Sequence, residues 1–402
     1  MLPLFQRWGF ALLCVVFSVP VSAHAVFKAP RTFKKSIAID YDAQPQARTF
    51  MVFARRASVA ALDAAKPLQA AIDAFLESPS TATLETARQA WRAARPAYQR
   101  TEMMRFFNGP LDHAAGDGIT AGPEPRLNAW PLNEAVIDAV RGAPESGLVH
   151  QRSVPLTREA IVSRNQVGDE ADVTTGWHAI EFLLWGQDFS SDGAGNRPAD
   201  DFLPGDDIRE RRRAYLKLIT QILIEDLTRV ANDWDPQRDG SYAQLLNREP
   251  AIEILGRGVH GAASLAAIEL YADRLIGPLD TRSQEDEHSC FSDNTLADLK
   301  GNLEGVRFFV EGRYENERLG ASFIELVEWK NPMLAQRLRV QLDNAEKSLA
   351  AIPGRFDQAI VAPDGAPART AVEHAANAMR ELGVALKAAA EALSMDIVVP
   401  GV

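Results

Sequence analysis

Along much of this chain apolar residues recur three to four positions apart, the period of a helix with one buried face. Over residues 50–76 the stripe is Val52, Phe53, Val59, Leu62, Leu68, Ile72 and Phe75, and Ser78-Pro79-Ser80 stops it. A second helix is expected over 83–107, with a kink or a break near Ala93 from Pro96. Asn108-Gly109-Pro110 ends it, and a Gly/Pro-rich connection leads to a short helix at 132–140 and a strongly apolar one at 174–185. Residues 190–198 are turn chemistry throughout. Helical periods then return at 207–234, 251–276, 295–311, 321–329, 332–352 and 369–393, whereas alternating strand patterns are almost absent. The pattern predicts an all-α protein of two helical, four-helix-type bundles, over residues 48–240 and 241–402.

The first residues change that picture. Met1 to Arg7 carry the only early charge, an apolar run of 8–19 follows, and small residues precede Ala23. This is the pattern of a secretory signal peptide, residues 1–23, followed by a polar N-terminal arm or linker over 24–47. Cys14 sits inside the apolar run rather than at its end, so lipid anchoring is not expected. Cleavage would leave Cys290 as the sole thiol, which excludes an internal disulfide and leaves the fold to its core. No later run is long enough for a transmembrane segment. The net charge of −11 disfavours nucleic acid and anionic membrane surfaces and is compatible with attracting cations.

Within the apolar stretch at 174–185, Gly176-Trp177-His178-Ala179-Ile180-Glu181 sets an imidazole and a carboxylate three residues apart. On a helix three residues advance about 300°, so both side chains stand on nearly one face and could grip one metal ion. The plainer reading is a satisfied core pair. A zincin would need Glu at Ala179 and His at Phe182, an inverzincin would need His at Phe182, and di-iron bundles use the opposite order twice. A mononuclear site with an acid from another helix is the remaining metal geometry. Glu102 is the first candidate, set against a solvated glutamate paired with Arg105; Asp112, Glu134 and Asp293 have weaker claims. Imidazole with carboxylates suits iron, zinc or manganese. His24, His113, His150, His260 and His374 read as structural or solvated. Glu285-Asp286-Glu287-His288 reads as a hydrated loop, Ser292 or Asp293 as an N-cap, and Cys290 as a small buried hydrophobe. There is no nucleophile elbow, phosphate loop or paired-cysteine motif.

The block Thr175 to Asp188, with its Gly-x-His-x-x-Glu core, resembles the signature of the imelysin family. Arg100-Thr101-Glu102 through Asp112, Asn128-Ala129-Trp130-Pro131 and Glu285 through Thr295 resemble further blocks of its iron-regulated branch. The resemblance implies a periplasmic protein of two helical bundles with a role in bacterial iron acquisition, and a metal or metal complex held by His178, Glu181 and a facing acid such as Glu102. Gly176 matches the motif glycine, while Asp112, Trp130 and Asp293 fall in the supporting blocks. Iron is the metal implied and zinc the alternative, with an iron-transport partner in the envelope. Two other functions stand beside metal binding: a metallopeptidase using the same pair, after which the family was also classed, and a non-catalytic interaction scaffold. Leu296 departs from the family pattern, which leads one to expect a histidine there.

Overall fold

A computed structural model describes residues 39–113 and 121–402. The signal peptide and the arm up to residue 38 lie outside the described residues. The described residues fall within one compact unit.

Helix α1 (Gln44–Glu77) begins six residues ahead of the apolar stripe because Pro45 fits the first turn, where its missing N–H is not needed. Its buried face runs through Phe50, Phe53, Ala57, Ala61, Leu68, Ile72 and Phe75. Ser80 opens α2 (Thr81–Gln99) with a reciprocal capping box to Thr83. α2 stops at Gln99 rather than continuing to 107, and a 3-10 turn, Glu102–Met104, follows it. The short helix expected at 132–140 is reduced to a 3-10 turn, Glu134–Val136. α3 (Trp177–Trp185) is the motif helix, and α4 (Asp207–Asp233) is capped by Asp206, whose carboxylate accepts from the Ile208 and Arg209 N–H groups. α1 packs on α2 and α4, and α3 wedges between α2 and α4.

α5 (Ala251–Ser264) opens the C-terminal half, followed by α6 (Thr295–Glu311), α7 (Phe323–Lys330), α8 (Pro332–Ala350) and α9 (Pro367–Ala392). α9 packs along α8 and α5, α7 lies on α8, and α6 bridges the halves by packing against both α2 and α8. A two-residue hairpin, Arg313–Tyr314 with Glu317–Arg318, is the only sheet among the described residues. No described helix is long and apolar enough to cross a membrane.

The expected helix at 251–276 changes character midway, since Leu265–Ile276 winds as a π-helix. The wider turn brings residues five apart onto one face, and Arg274 Nη2 lies 3.4 Å from Glu269 Oε2. In an α-helix those two positions would diverge by about 140°. The 3-10 turn at 102–104 nests directly against α5, where a Cβ on Gly261 would stand 2.0 Å from the Met103 carbonyl oxygen. That contact carries Glu102 into the interior.

Candidate functional site

All nine residues of α3 are buried. Its entry is tied to three other segments: Tyr215 donates its hydroxyl to Thr174 O at 2.6 Å, the Thr175 hydroxyl donates to Arg126 O at 3.0 Å, and the Trp91 indole N–H donates to Trp177 O at 3.1 Å. Gly176 has φ 94° and stands so close to the 126–127 strand of chain that a Cβ would meet Leu127 O at 2.5 Å. Only glycine fits there.

On this helix His178 Nδ1 lies 2.9 Å from Glu181 Oε2. The other oxygen of Glu181 accepts the Ser292 backbone N–H at 3.0 Å and its hydroxyl at 2.6 Å. The His178 Nε2 atom is buried with no hydrogen-bond partner. Its neighbour is a second imidazole: the rings of His178 and His288 are 4.7 Å apart, edge to face, and Trp130 flanks both at 4.9 and 6.5 Å. His288 Nδ1 lies 3.1 Å from Asp298 Oδ2, while the nearest group to its Nε2 is the Asn128 amide at 3.5 Å, a long contact.

An ionic frame underlies the rings. Arg95 holds Asp298 through Nε at 3.3 Å and Nη2 at 2.7 Å, and donates to Asn128 Oδ1 at 2.6 Å. Asn128 in turn donates to Glu102 at 3.0 Å. Arg274 grips Glu102 with two hydrogen bonds of 2.8 and 3.1 Å, and Asn302 adds a third at 2.8 Å. Ser289 and Asn294 complete the shell of Asp298 at 2.6 and 2.9 Å.

Burial and these partners set the charges. Burial works against the Glu102 anion, yet the Arg274 guanidinium outweighs it and holds the carboxyl below its usual range. Burial likewise opposes the charge of Asp298, and Arg95 with His288 keeps it well below that range. Burial, with the neighbouring imidazole and Arg95, pushes His178 far down; burial and Arg274 bring His288 down to about 4. Both rings are therefore neutral at pH 7. Because Asp298 is ionised it can only accept, so His288 Nδ1 carries the proton and the Nε2 lone pair meets only the long contact from the Asn128 amide. Among the described residues no cation contacts Glu181, and burial raises it to about 8.

The structure thus joins His178, Glu181 and Trp130, and links Glu102 to them through Asn128 and His288. Glu102 is not the solvated glutamate of the plainer reading, because it is fully buried and Arg105 is only its outlying partner at 3.4 Å. Its oxygens face guanidinium and amide donors. Asp112 belongs to a different neighbourhood, where burial raises its carboxyl beside Arg105. Asp293 adopts φ 55° and pairs with Arg355 at 3.4 Å. Neither Ser292 nor Asp293 caps α6; Asn294 holds that position, and Ser292 is committed to Glu181. Cys290 is buried, as expected. Leu296 packs half-buried against the core. Among the described residues no three His, Cys, Asp or Glu side chains are arranged to hold a metal ion by themselves. His288, Asn128, Asp298, Arg95 and Arg274 are the residues that sequence reasoning did not single out. The block at 285–295 contained the first of them, but its acidic neighbours masked it as a hydrated loop.

Comparison with known proteins agrees with this architecture. The family model described as Imelysin matches residues 55–386. Iron-regulated protein A of Synechococcus elongatus is 26% identical over 313 residues, covering 75% of this chain and 73% of that protein. The crystal structure of a candidate iron-regulated protein A precursor from Parabacteroides distasonis superimposes with a TM-score of 0.67 at 18% identity, covering 89% of this chain and 97% of that one. An imelysin-like protein from Psychrobacter arcticus gives 0.59 at 16% identity, covering 86% and 95%. With the Gly-x-His-x-x-Glu helix built into an all-α fold of this shape and the family model spanning most of its length, the chain belongs to the imelysin family.

Proposed function

We propose that this protein is an exported, periplasmic metal-binding protein serving iron handling, and that His178 and His288 offer the metal their Nε2 atoms. The observation that carries this reading is the buried, unpartnered Nε2 of His178, whose Nδ1 is held by a carboxylate. Metal-binding histidines almost always present one nitrogen while the other donates to such a group, the state His178 reaches when metal binding releases the Glu181 proton. His288 with the ionised Asp298 already holds that arrangement. Glu181 then orients a ligand, and Glu102 sets the charge of the frame beneath. Two imidazoles leave coordination positions for water or for oxygen donors that a chelated iron brings with it, which favours a metal complex as cargo. Zinc is the competing metal, since neutral imidazole suits both.

The name of the cyanobacterial relative supports iron over other cargo. Export rests on the signal pattern at 1–23, delivery to an iron-transport partner in the envelope follows from that location, and residues 48–240 and 241–402 are the two bundle domains of this reading. Anaerobic calorimetry of chelator-treated protein with ferrous iron and with zinc tests it. A single iron site should weaken by at least about tenfold in His178→Ala, and by about 10- to 100-fold in Glu181→Gln, where only the orienting group changes. Equal affinity in wild type and in the His178→Ala, Glu181→Ala double variant, with the fold intact, would overturn it.

A further inference from the structure

α2 carries Arg88 and Arg92 one turn apart, and both guanidinium groups lie over the Trp185 indole, 5.6 and 4.9 Å from its centre. Beside them lies a shallow, open cleft of about 530 Å³, lined on its other side by residues of the turn-rich loop at 190–196. Arg88 is fixed in place: its Nε and Nη2 donate to Leu184 O at 3.1 and 2.9 Å, and Nη2 also to Arg197 O at 2.9 Å. Its remaining Nη1 has Glu85 as nearest acid, at 3.9 Å on a side chain that is 45% exposed. Arg92 donates one N–H to Ser292 O at 2.8 Å. No carboxylate pairs with it within 4.0 Å among the described residues, in a chain with an excess of acids.

We propose that this cleft binds a small oxyanion, a carboxylate or phosphate group, at the free N–H groups of Arg88 and Arg92, whose guanidinium groups the Trp185 indole supports from behind. Guanidinium groups already held by backbone carbonyls lose little freedom on binding and present fixed donors to a planar or tetrahedral anion. The exposed acids on the rim, Glu85 and Asp192, repel extended polyanions and keep the ligand small. The cleft also touches the imidazole site through one residue. Ser292 accepts from Arg92 with its carbonyl and donates to Glu181 with its N–H and hydroxyl. An anion drawing on Arg92 therefore acts on the segment that holds Glu181. Binding itself requires no metal, so this inference and the metal reading fail independently.

The test is calorimetry of metal-free protein against citrate and against inorganic phosphate, with tryptophan fluorescence as a second readout. Saturable binding of either is expected, weakened by added sodium chloride, and the anion that binds identifies the ligand class. Arg92→Gln should reduce affinity by about tenfold or more, and Arg92→Lys should recover only part of it because the forked donors are lost. The Lys variant keeps the charge and guards against a folding defect in the Gln variant. Failure of both anions to bind wild type, or equal binding by wild type and Arg92→Gln, would overturn the proposal.

Discussion

Two histidines at this site are kept uncharged by burial and kept oriented by acids, and the acids differ in state. Asp298 stays ionised because Arg95 clamps it, whereas Glu181 has only Ser292 and His178 for company. The consequence is measurable in the metal-free protein. An unfolded chain ionises Glu181 above about 4.5, whereas the folded one holds its proton up to about 8. Across that window the native state binds more protons, so Glu181 makes stability fall as pH rises. Thermal melts of wild type and Glu181→Gln should show the variant losing less stability between those two pH values; identical profiles would contradict the assignment. Removing the opposite partner has a different signature. Asp298→Ala strands Arg95 in the interior without its anion and should cost about 3–5 kcal/mol in urea denaturation. His178 and Glu181 were legible as a pair from spacing alone. His288 and Asp298 were not, because what buries them is contact with α2 and the 128–130 segment, some 160 to 200 residues away in sequence.

At the scale of elements, α3 is placed by its ends rather than by its own propensity. Gly176→Ala would force a Cβ toward the Leu127 and Arg126 carbonyl oxygens while holding φ positive. A loss of about 1–3 kcal/mol is expected, read as a lower urea midpoint with an unchanged slope. Most long helices were legible because their apolar period is strong, and α6 begins and ends where the pattern put it. The departures have local causes. α2 ends at Gln99, where Arg100 turns to Glu304 and Glu315 and Glu102 is drawn inward by Arg274. The π-helix escaped because its stripe of Leu265, Leu270 and Leu275 steps by five, a spacing that a search for threes and fours blurs into an ordinary helix. Its function here is to seat Glu269 and Arg274 side by side under the rings.

For the whole molecule, the proposed reading takes the leader pattern as an export signal, and the acidic balance is compatible with attracting cations. Expression of the full chain in a Gram-negative host should yield a periplasmic species whose intact mass corresponds to a start at His24 or Val26; a cytoplasmic, uncleaved product would contradict export. The all-α architecture was readable throughout the sequence, while the site was readable only in its Gly-x-His-x-x-Glu half. The other half exists only once α6 and the loop before it have docked on α2. X-ray absorption at the iron edge of the iron-loaded protein tests the central claim most directly. Scattering from two imidazole ligands is expected, reduced to one in His178→Ala and undisturbed in His374→Ala, whose ring is exposed. An iron environment of oxygen donors alone, unchanged by loss of His178, would contradict it.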